Sequence, residues 1–313
     1  MSAPKISICV MVYNHVNVIE STLRTLLVQS VTNFELIVSD DCSTDGTWAL
    51  LESIQKTDPR IRVIRTPRNV GMAANANFAV QAASGEYIAL LHHDDLYRAD
   101  LIEQWARVLD EYPDVGFVFN PYGLYGTDDI SAISVPSGRL DGTQFLTRHL
   151  FPSWGCPIHG TAMIRRSAWE RTGGMRLEFG LLADIDLWMR LAAQGPVGYV
   201  DEPLITVRHA RPDYYPDIYT GKNWSWKRHV LLYLIHGANR ESFYRNRKLR
   251  RLLVMLAFRF RLSVETAKWI SYAIVRKKSD MLRRSNESRT AYDMLWLRIY
   301  RAAARLLARS SPA

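Results

Sequence analysis

Four short apolar runs recur in the first 91 residues, each followed by a helix-like stretch, and this alternation restricts the chain more than any other feature of its sequence. The runs cover 6–12, 34–39, 61–65 and 87–91. Between them, 16–29 places Ile19, Leu23, Leu26 and Leu27 on one helical face, 47–56 reads as a second helix, and 71–83 is an Ala/Asn-rich third. A further helix over 100–112 aligns Leu101, Trp105, Val108, Leu109 and Tyr112, and a strand follows over 115–119. Strands alternating with helices of ten to fifteen residues predict βαβ units and a mostly parallel sheet. Apolar runs without interruption fit strands covered on both faces. Later, 160–165 reads as a returning strand, 184–194 as a helix, and 197–200 and 204–207 as short strands. The Gly-, Asp-, Ser- and Pro-rich stretch 122–151 reads as loops or a hairpin.

In such sheets ligands bind beyond the carboxyl ends of the strands. Those ends are unusually polar here. Tyr13-Asn14 follows the first run, Asp40-Asp41-Cys42-Ser43-Thr44-Asp45-Gly46 the second, Arg68-Asn69-Val70-Gly71 the third and His92-His93-Asp94-Asp95 the fourth. Two adjacent carboxylates repel unless something neutralises them. A hard cation does so, commonly with one or two protein carboxylates and substrate phosphates; a helix N-cap is the structural alternative for Asp94-Asp95. For Asp40-Asp41 we expect one acid to serve an Asx turn and the other a ligand. Asp184 and Asp186 open a helix, and Asp186 stands four residues before Arg190, the spacing of a surface pair. His92 and His93, adjacent on an extended segment, point in opposite directions, so they are not expected to share one metal. His159 sits in a Pro157-Ile158-His159-Gly160 loop, where a structural role competes with a contact to substrate.

Taken in order, these segments resemble the glycosyltransferases of family 2, which have the GT-A fold. The matching residues are Met11-Val12-Tyr13-Asn14; Val38-Ser39-Asp40-Asp41-Cys42-Ser43-Thr44-Asp45-Gly46-Thr47; Asn69, Gly71 and Asn77; Gly85-Glu86-Tyr87-Ile88 leading to His92-His93-Asp94-Asp95; and Ala183-Asp184-Ile185-Asp186-Leu187-Trp188-Met189-Arg190. The resemblance spans about residues 5–210. It implies an α/β, Rossmann-like central sheet and an inverting transfer of sugar from a UDP- or dTDP-linked donor to a hydroxyl of a glycan or lipid-linked glycan. It implies Mg²⁺ or Mn²⁺ as cofactor. Asp184 is the implied general base. Tyr13, Asp41, Asn69, Gly71, Asn77 and Asp94 are implied on the donor, with Asp41 accepting from the base N3–H and Tyr13 lying against the base. Asp95 is the implied metal ligand, and His209 resembles a late histidine that sometimes joins the metal. His92, His159 and Trp188 are candidate contacts to acceptor or diphosphate, read from the residues themselves. The chain departs from the pattern at His92, where the family has Asp, at Ala183, where it has Glu, and at Met11-Val12, where it has Pro-Thr. The absence of a Gln-x-x-Arg-Trp segment favours transfer of one or a few sugars over processive synthesis.

Charge divides the chain. Residues 222–313 hold 22 Lys/Arg against 5 Asp/Glu, a balance of +17, while residues 1–221 carry −8 within an overall +9. This suggests a catalytic domain over 1–221, with a nucleotide-sugar half about 1–120 and an acceptor half about 121–221, and a helical, basic extension over 222–313. Arg298, Arg301, Arg305 and Arg309 form a stripe beside Leu295, Trp296, Ile299, Leu306 and Leu307. That pattern fits a helix lying on an anionic membrane, and the stretches 245–261 and 268–284 add further basic clusters. A helical subdomain with solvated arginines is the alternative. No apolar run reaches the roughly 18 residues of a membrane span, and no signal-peptide pattern opens the sequence. The expected location is cytoplasmic, peripheral on the inner face of the membrane.

Other classes fit less well. A hydrophobic content of 48% excludes a wholly disordered chain, and three cysteines without CxxC spacing exclude a disulfide scaffold. A nucleotidyltransferase should carry a Gly-rich loop where Tyr13-Asn14 stands, and a dinucleotide oxidoreductase a GxGxxG there. A non-catalytic nucleic-acid or membrane binder would not need Asp94-Asp95 and Asp184, and no nucleic-acid partner is expected.

Overall fold

The computed structural model describes residues 4–152, 156–208 and 224–245. The chain divides into two compact units, Met1–Tyr215 and Pro216–Ala313. In the first, β1 (Ile6–Val12), β2 (Phe34–Asp40), β3 (Ile61–Arg65) and β4 (Tyr87–His92) form parallel pairs in the order β3-β2-β1-β4. They are joined by α1 (Ile19–Leu27), α2 (Thr47–Gln55) and α3 (Met72–Ala82). Every residue of β1 is buried, as a strand covered on both faces requires. Ala73, Ala76 and Ala79 are the buried side chains that let α3 lie close against β1 and β2.

After β4 the chain makes β5 (Leu96–Tyr97) and α4 (Leu101–Glu111), which buries Leu101, Trp105, Val108 and Leu109 as its periodicity predicts. The sheet continues through β6 (Phe117–Phe119). The stretch read as loops or a hairpin contains β7 (Tyr122–Leu124) and β8 (Ile130–Ser131), an antiparallel pair, then β9 (Gly138–Leu140) and a short α5 (Gly142–Phe145). Asp141 caps α5 by accepting from the Gln144 N–H, and a π-helical turn over Leu146–Leu150 prolongs it. β10 (Ala162–Arg165) returns antiparallel between β4 and β6. It is followed by α6 (Arg166–Thr172), a 3₁₀ stretch over Leu177–Leu182 and α7 (Ala183–Gln194). β11 (Val197–Tyr199) pairs parallel to β6 and antiparallel to β9, completing an eight-stranded sheet. β12 (Ile205–Val207) joins β5, β7 and β8 in a four-stranded sheet of its own. The architecture is α/β with a mostly parallel central sheet, as the sequence predicts.

In the second unit the structure describes α8 (Trp224–Phe243), where Leu232, Ile235 and His236 are buried and Arg240 donates to His236 Nδ1 at 2.9 Å. The expected membrane stripe and, apart from Arg245, the clusters of 245–261 and 268–284 lie outside the described residues. Among the described residues, no helix is long and apolar enough to cross a membrane.

Candidate functional site

The carboxyl ends of β1, β2 and β4 lie side by side, because β1 pairs with both neighbours in parallel register: Val12 stands beside Asp40 and Met11 beside His92. The turns beyond them are tied together. Asn14, in a left-handed conformation, donates its N–H to Ser43 Oγ at 2.9 Å and accepts from the Thr44 N–H at 2.8 Å. Asp40 is fully buried, receives the Ser43 N–H and pairs with Arg65 at 3.1 Å; burial raises its carboxyl pKa. It is the turn-forming acid of the pair. Asp41 reaches the next loop, accepting from Thr66 Oγ1 at 2.9 Å, Val70 N–H at 2.8 Å and Gly71 N–H at 2.8 Å. A carboxylate has about four lone-pair sites, so these three donors leave Asp41 one acceptor position, on Oδ2. Asn69 is exposed and Tyr13 half-buried on this side of the site.

The end of β4 sorts its side chains into two clusters. On one side Asp95, 1% exposed, takes His159 Nε2 at 3.0 Å and His92 Nδ1 at 3.3 Å on Oδ2, and the Arg208 backbone N–H on Oδ1. Burial opposes ionisation of Asp95, but the hydrogen bonds from His159 and His92 outweigh it and hold the carboxyl well below its usual range. On the other side His93 and His15 lie with ring centroids 3.8 Å apart beside Asp94. His93 Nδ1 donates to Met11 O at 2.9 Å and His15 Nδ1 to Tyr13 O at 2.6 Å. Burial lowers both imidazoles, His15 to about 4, so both rings are neutral at pH 7. His92 and His93 therefore point apart, as adjacent residues on an extended segment must. Sequence reading passes over His15; its signal is its place directly after Tyr13-Asn14 at a strand end.

Asp184, at the start of α7, faces the same region. Gly160, at φ +86°, separates it from His92: a Cβ there would stand 2.7 Å from His92 Nε2 and 3.0 Å from Asp184 Oδ2. Asp184 Oδ1 is buried without a hydrogen-bond partner, and burial raises the carboxyl pKa. That oxygen is a proton acceptor kept out of water.

Several expectations are corrected. Trp188 is fully buried and stacks on Phe117 at 5.4 Å, so it packs the core and cannot touch an acceptor. Asn77 spends its amide on the backbone of Met175, donating to the carbonyl and accepting from the N–H, both at 2.9 Å, which ties α3 to the segment after α6. Asp186 and Arg190 form a buried pair at 2.7 Å rather than a surface one, with Arg176 3.5 Å from the same carboxylate. Asp95, the expected metal ligand, is not among these: it lies with His92 and His159 and accepts from both and from the Arg208 N–H, and Asp94 beside it is the more exposed acid. His209 lies outside the described residues. Two groups among the described residues have ligand atoms within 4.8 Å of one another: His15, His93 and Asp94, and His92, Asp95 and His159. The buried, unpartnered Nε2 of His93 beside a carboxylate is a donor set that fits a divalent cation.

Comparison with known proteins agrees with this architecture. The model of glycosyl transferase family 2 matches residues 7–173. The putative glycosyltransferase EpsE of Bacillus subtilis is 32% identical over 217 residues, 66% of this chain and 74% of EpsE. Among solved structures, S. aureus TarS in complex with UDP-GlcNAc superposes with a TM-score of 0.61 at 16% identity, covering 77% of this chain and 71% of that one. A mannosyltransferase from Pyrobaculum calidifontis, in complex with GDP-Man and Mn²⁺, gives 0.56 at 20% identity over 98% and 85%. These structures share the GT-A fold. With the family model covering more than half the sequence and the strand-end segments in the expected order, the chain belongs to glycosyl transferase family 2 and is a glycosyltransferase.

Proposed function

We propose that the chain is an inverting glycosyltransferase that moves a sugar from a UDP- or dTDP-linked donor to a hydroxyl of a glycan or lipid-linked glycan, with Asp184 as general base. The observation that carries the reading is the buried, unpartnered Asp184 Oδ1 across Gly160 from the end of β4. Tyr13 lies against the base, and the free lone pair of Asp41 Oδ2 accepts its N3–H. Asn69 and Gly71 border the nucleotide. In the reaction, the acceptor oxygen attacks the anomeric carbon while Asp184 takes its proton. The bond from that carbon to the diphosphate oxygen breaks, and the nucleoside diphosphate leaves with the electron pair. One displacement inverts the anomeric centre without a covalent intermediate, as inverting glycosidases do with water in place of the acceptor. Asp94, braced by Asp95 behind it, would hold Mg²⁺ or Mn²⁺, which when bound supplies positive charge against the departing diphosphate. His92 and His159 fix Asp95 and border the site.

The similar structures support a nucleotide-sugar donor: TarS is in complex with UDP-GlcNAc, and the Pyrobaculum enzyme with GDP-Man and Mn²⁺. The basic sequence of 222–313 supports peripheral contact with an anionic membrane on its cytoplasmic face, where lipid-linked acceptors would be met. The test begins with a thermal-shift screen of nucleotide sugars with and without Mn²⁺, followed by transfer assays on the best binder. Asp184→Asn should keep nucleotide binding and lose transfer. Full transfer by that variant would refute Asp184 as base.

A further inference from the structure

Strand order decides which side of Asp184 faces away from the nucleotide. Across the large sheet the order runs β3-β2-β1-β4-β10-β6. Tyr13 and Asp41 follow β1 and β2, whereas Gly160, beside Asp184 Oδ2, stands just before β10. β10 is antiparallel to both β4 and β6, so the carboxyl ends of β4 and β6 share one rim with the start of β10. The segment that leaves β6, Asn120-Pro121-Tyr122, therefore emerges across β10 from the nucleotide loops. In an inverting displacement the attacking group enters on the face opposite the leaving group. The far side of the base is thus where an acceptor enters.

Tyr122 is the side chain this segment brings to the rim. Its ring centroid lies 4.6 Å from that of His159, the neighbour of Gly160 in sequence and a donor to Asp95. Tyr122 and Leu124 also pack on the core, which anchors the ring, yet Tyr122 is only half-buried. Its hydroxyl bonds to no described residue and reaches the surface. By contrast Tyr87, Tyr97 and Tyr199 spend their hydroxyls on Asp110, the His92 carbonyl and Asp201. The β6–β10 register, continued toward the rim, sets Asn120 against Thr161, and Asn120 Oδ1 and Thr161 Oγ1 are buried without hydrogen-bond partners. The rim beside Tyr122 is thus polar, with a fixed aromatic ring and an unused hydroxyl, the composition of a site that orients a ligand by few polar contacts.

We propose that Tyr122 is a specificity-determining residue that binds a pyranose unit of the acceptor. Its ring covers the C–H surface of the sugar, and its hydroxyl hydrogen-bonds one of the sugar's hydroxyls. The site then takes a glycan in preference to a bare alcohol, because only a sugar ring offers both contacts. This rests on the transfer reading for where the acceptor enters. It goes beyond that reading by naming the chemistry that selects the acceptor.

The probes are the methyl glycosides of glucose, galactose, mannose and N-acetylglucosamine, with ethanol as the bare alcohol. Saturation-transfer NMR on the full chain, with and without UDP and Mn²⁺, reads their binding. At least one glycoside should bind the wild type more tightly than ethanol. Tyr122→Phe should melt with the wild type, since no described residue uses the hydroxyl, and should bind that glycoside about two- to tenfold more weakly, the worth of one neutral hydrogen bond. Tyr125→Phe is the control: Tyr125 is exposed and, three positions on, falls on the other side of the strand, so its binding should match the wild type. In transfer assays the change should appear in the acceptor KM and not in the donor KM. A chain that binds the glycoside through Tyr122 but transfers nothing sinks the transfer reading alone. Binding of no glycoside by the wild type, or binding by Tyr122→Phe equal to the wild type, overturns the proposal.

Discussion

Gly160→Ala separates the geometry of the site from the stability of the fold. The left-handed backbone at φ +86° costs an L-residue about 1–2 kcal/mol. The added Cβ would also stand 2.7 Å from His92 Nε2 and 3.0 Å from Asp184 Oδ2. Ordinary contact between such atoms is ~3.5 Å, so both side chains must yield by roughly half an ångström or more. Gly173→Ala is the control: its φ is +74°, and nothing lies within 4 Å of the added Cβ. Gly173→Ala should lose about 1–2 kcal/mol in urea unfolding, and Gly160→Ala at least as much. Only Gly160→Ala should lose turnover, on the order of 10²-fold, the usual consequence of moving a reacting group by about an ångström. The assay is release of nucleoside diphosphate with the donor that gives the largest thermal shift. If Gly160→Ala turns over as fast as Gly173→Ala, Asp184 and His92 do not work where the structure puts them.

Asp184→Asn should lower transfer by about 10²–10⁴-fold and melt above the wild type at pH 7. Burial raises the Asp184 carboxyl, so its stabilising contribution is present below the unfolded pKa and lost as pH rises through the folded one; thermal melts across pH should show the gap closing in acid. Trp188→Ala should cost about 3–5 kcal/mol by denaturant titration, with the acceptor KM of the folded fraction unchanged. Asp186→Ala leaves Arg190 buried without its partner and should cost about 3–5 kcal/mol in the same titration. Chelation should abolish donor-dependent thermal stabilisation, and added Mn²⁺ should restore it.

Most of the fold is legible in sequence because its long elements obey one period throughout. β3 is bounded at the predicted residues 61–65, and α4 buries the predicted face. The second sheet is not legible: β5 and β8 have two residues and β7 three, too few for any period to register. The site divides in the same way. Strand ends and residue types are local properties, so Asp41, Asp94 and Asp184 can be singled out from sequence. Which donors each side chain meets is not local. Asp95 is satisfied by His159 and Arg208, 64 and 113 positions away, and Asn77 by Met175, 98 positions away. The Asp186–Arg190 spacing is likewise the same on a surface as in a core; only α7's packing decides.

The arrangement of charge at this rim explains why a cation belongs to the reading at all. Asp41, Asp94, Asp95 and Asp184 lie at or beside the strand ends, and a nucleotide diphosphate adds further negative charge. Among the described residues, Arg65 and Arg208 do little to offset this. Arg65 is turned to Asp40 and the Ser43 carbonyl, and Arg208 sends its guanidinium to Ser21 Oγ at 2.9 Å. His15 and His93 are neutral, because burial lowers them. Like charges ~4 Å apart repel by about 4 kcal/mol at the effective dielectric of a protein surface, more than two orders of magnitude in affinity. The rim tolerates its own acids by dividing them: Asp40 is taken by Arg65, and Asp95 by two imidazoles. Asp94 lies beside His15 and His93. The strand pleat that sends His92 one way and His93 the other thus places the two adjacent acids among different imidazoles, Asp94 with His15 and His93 and Asp95 with His92 and His159.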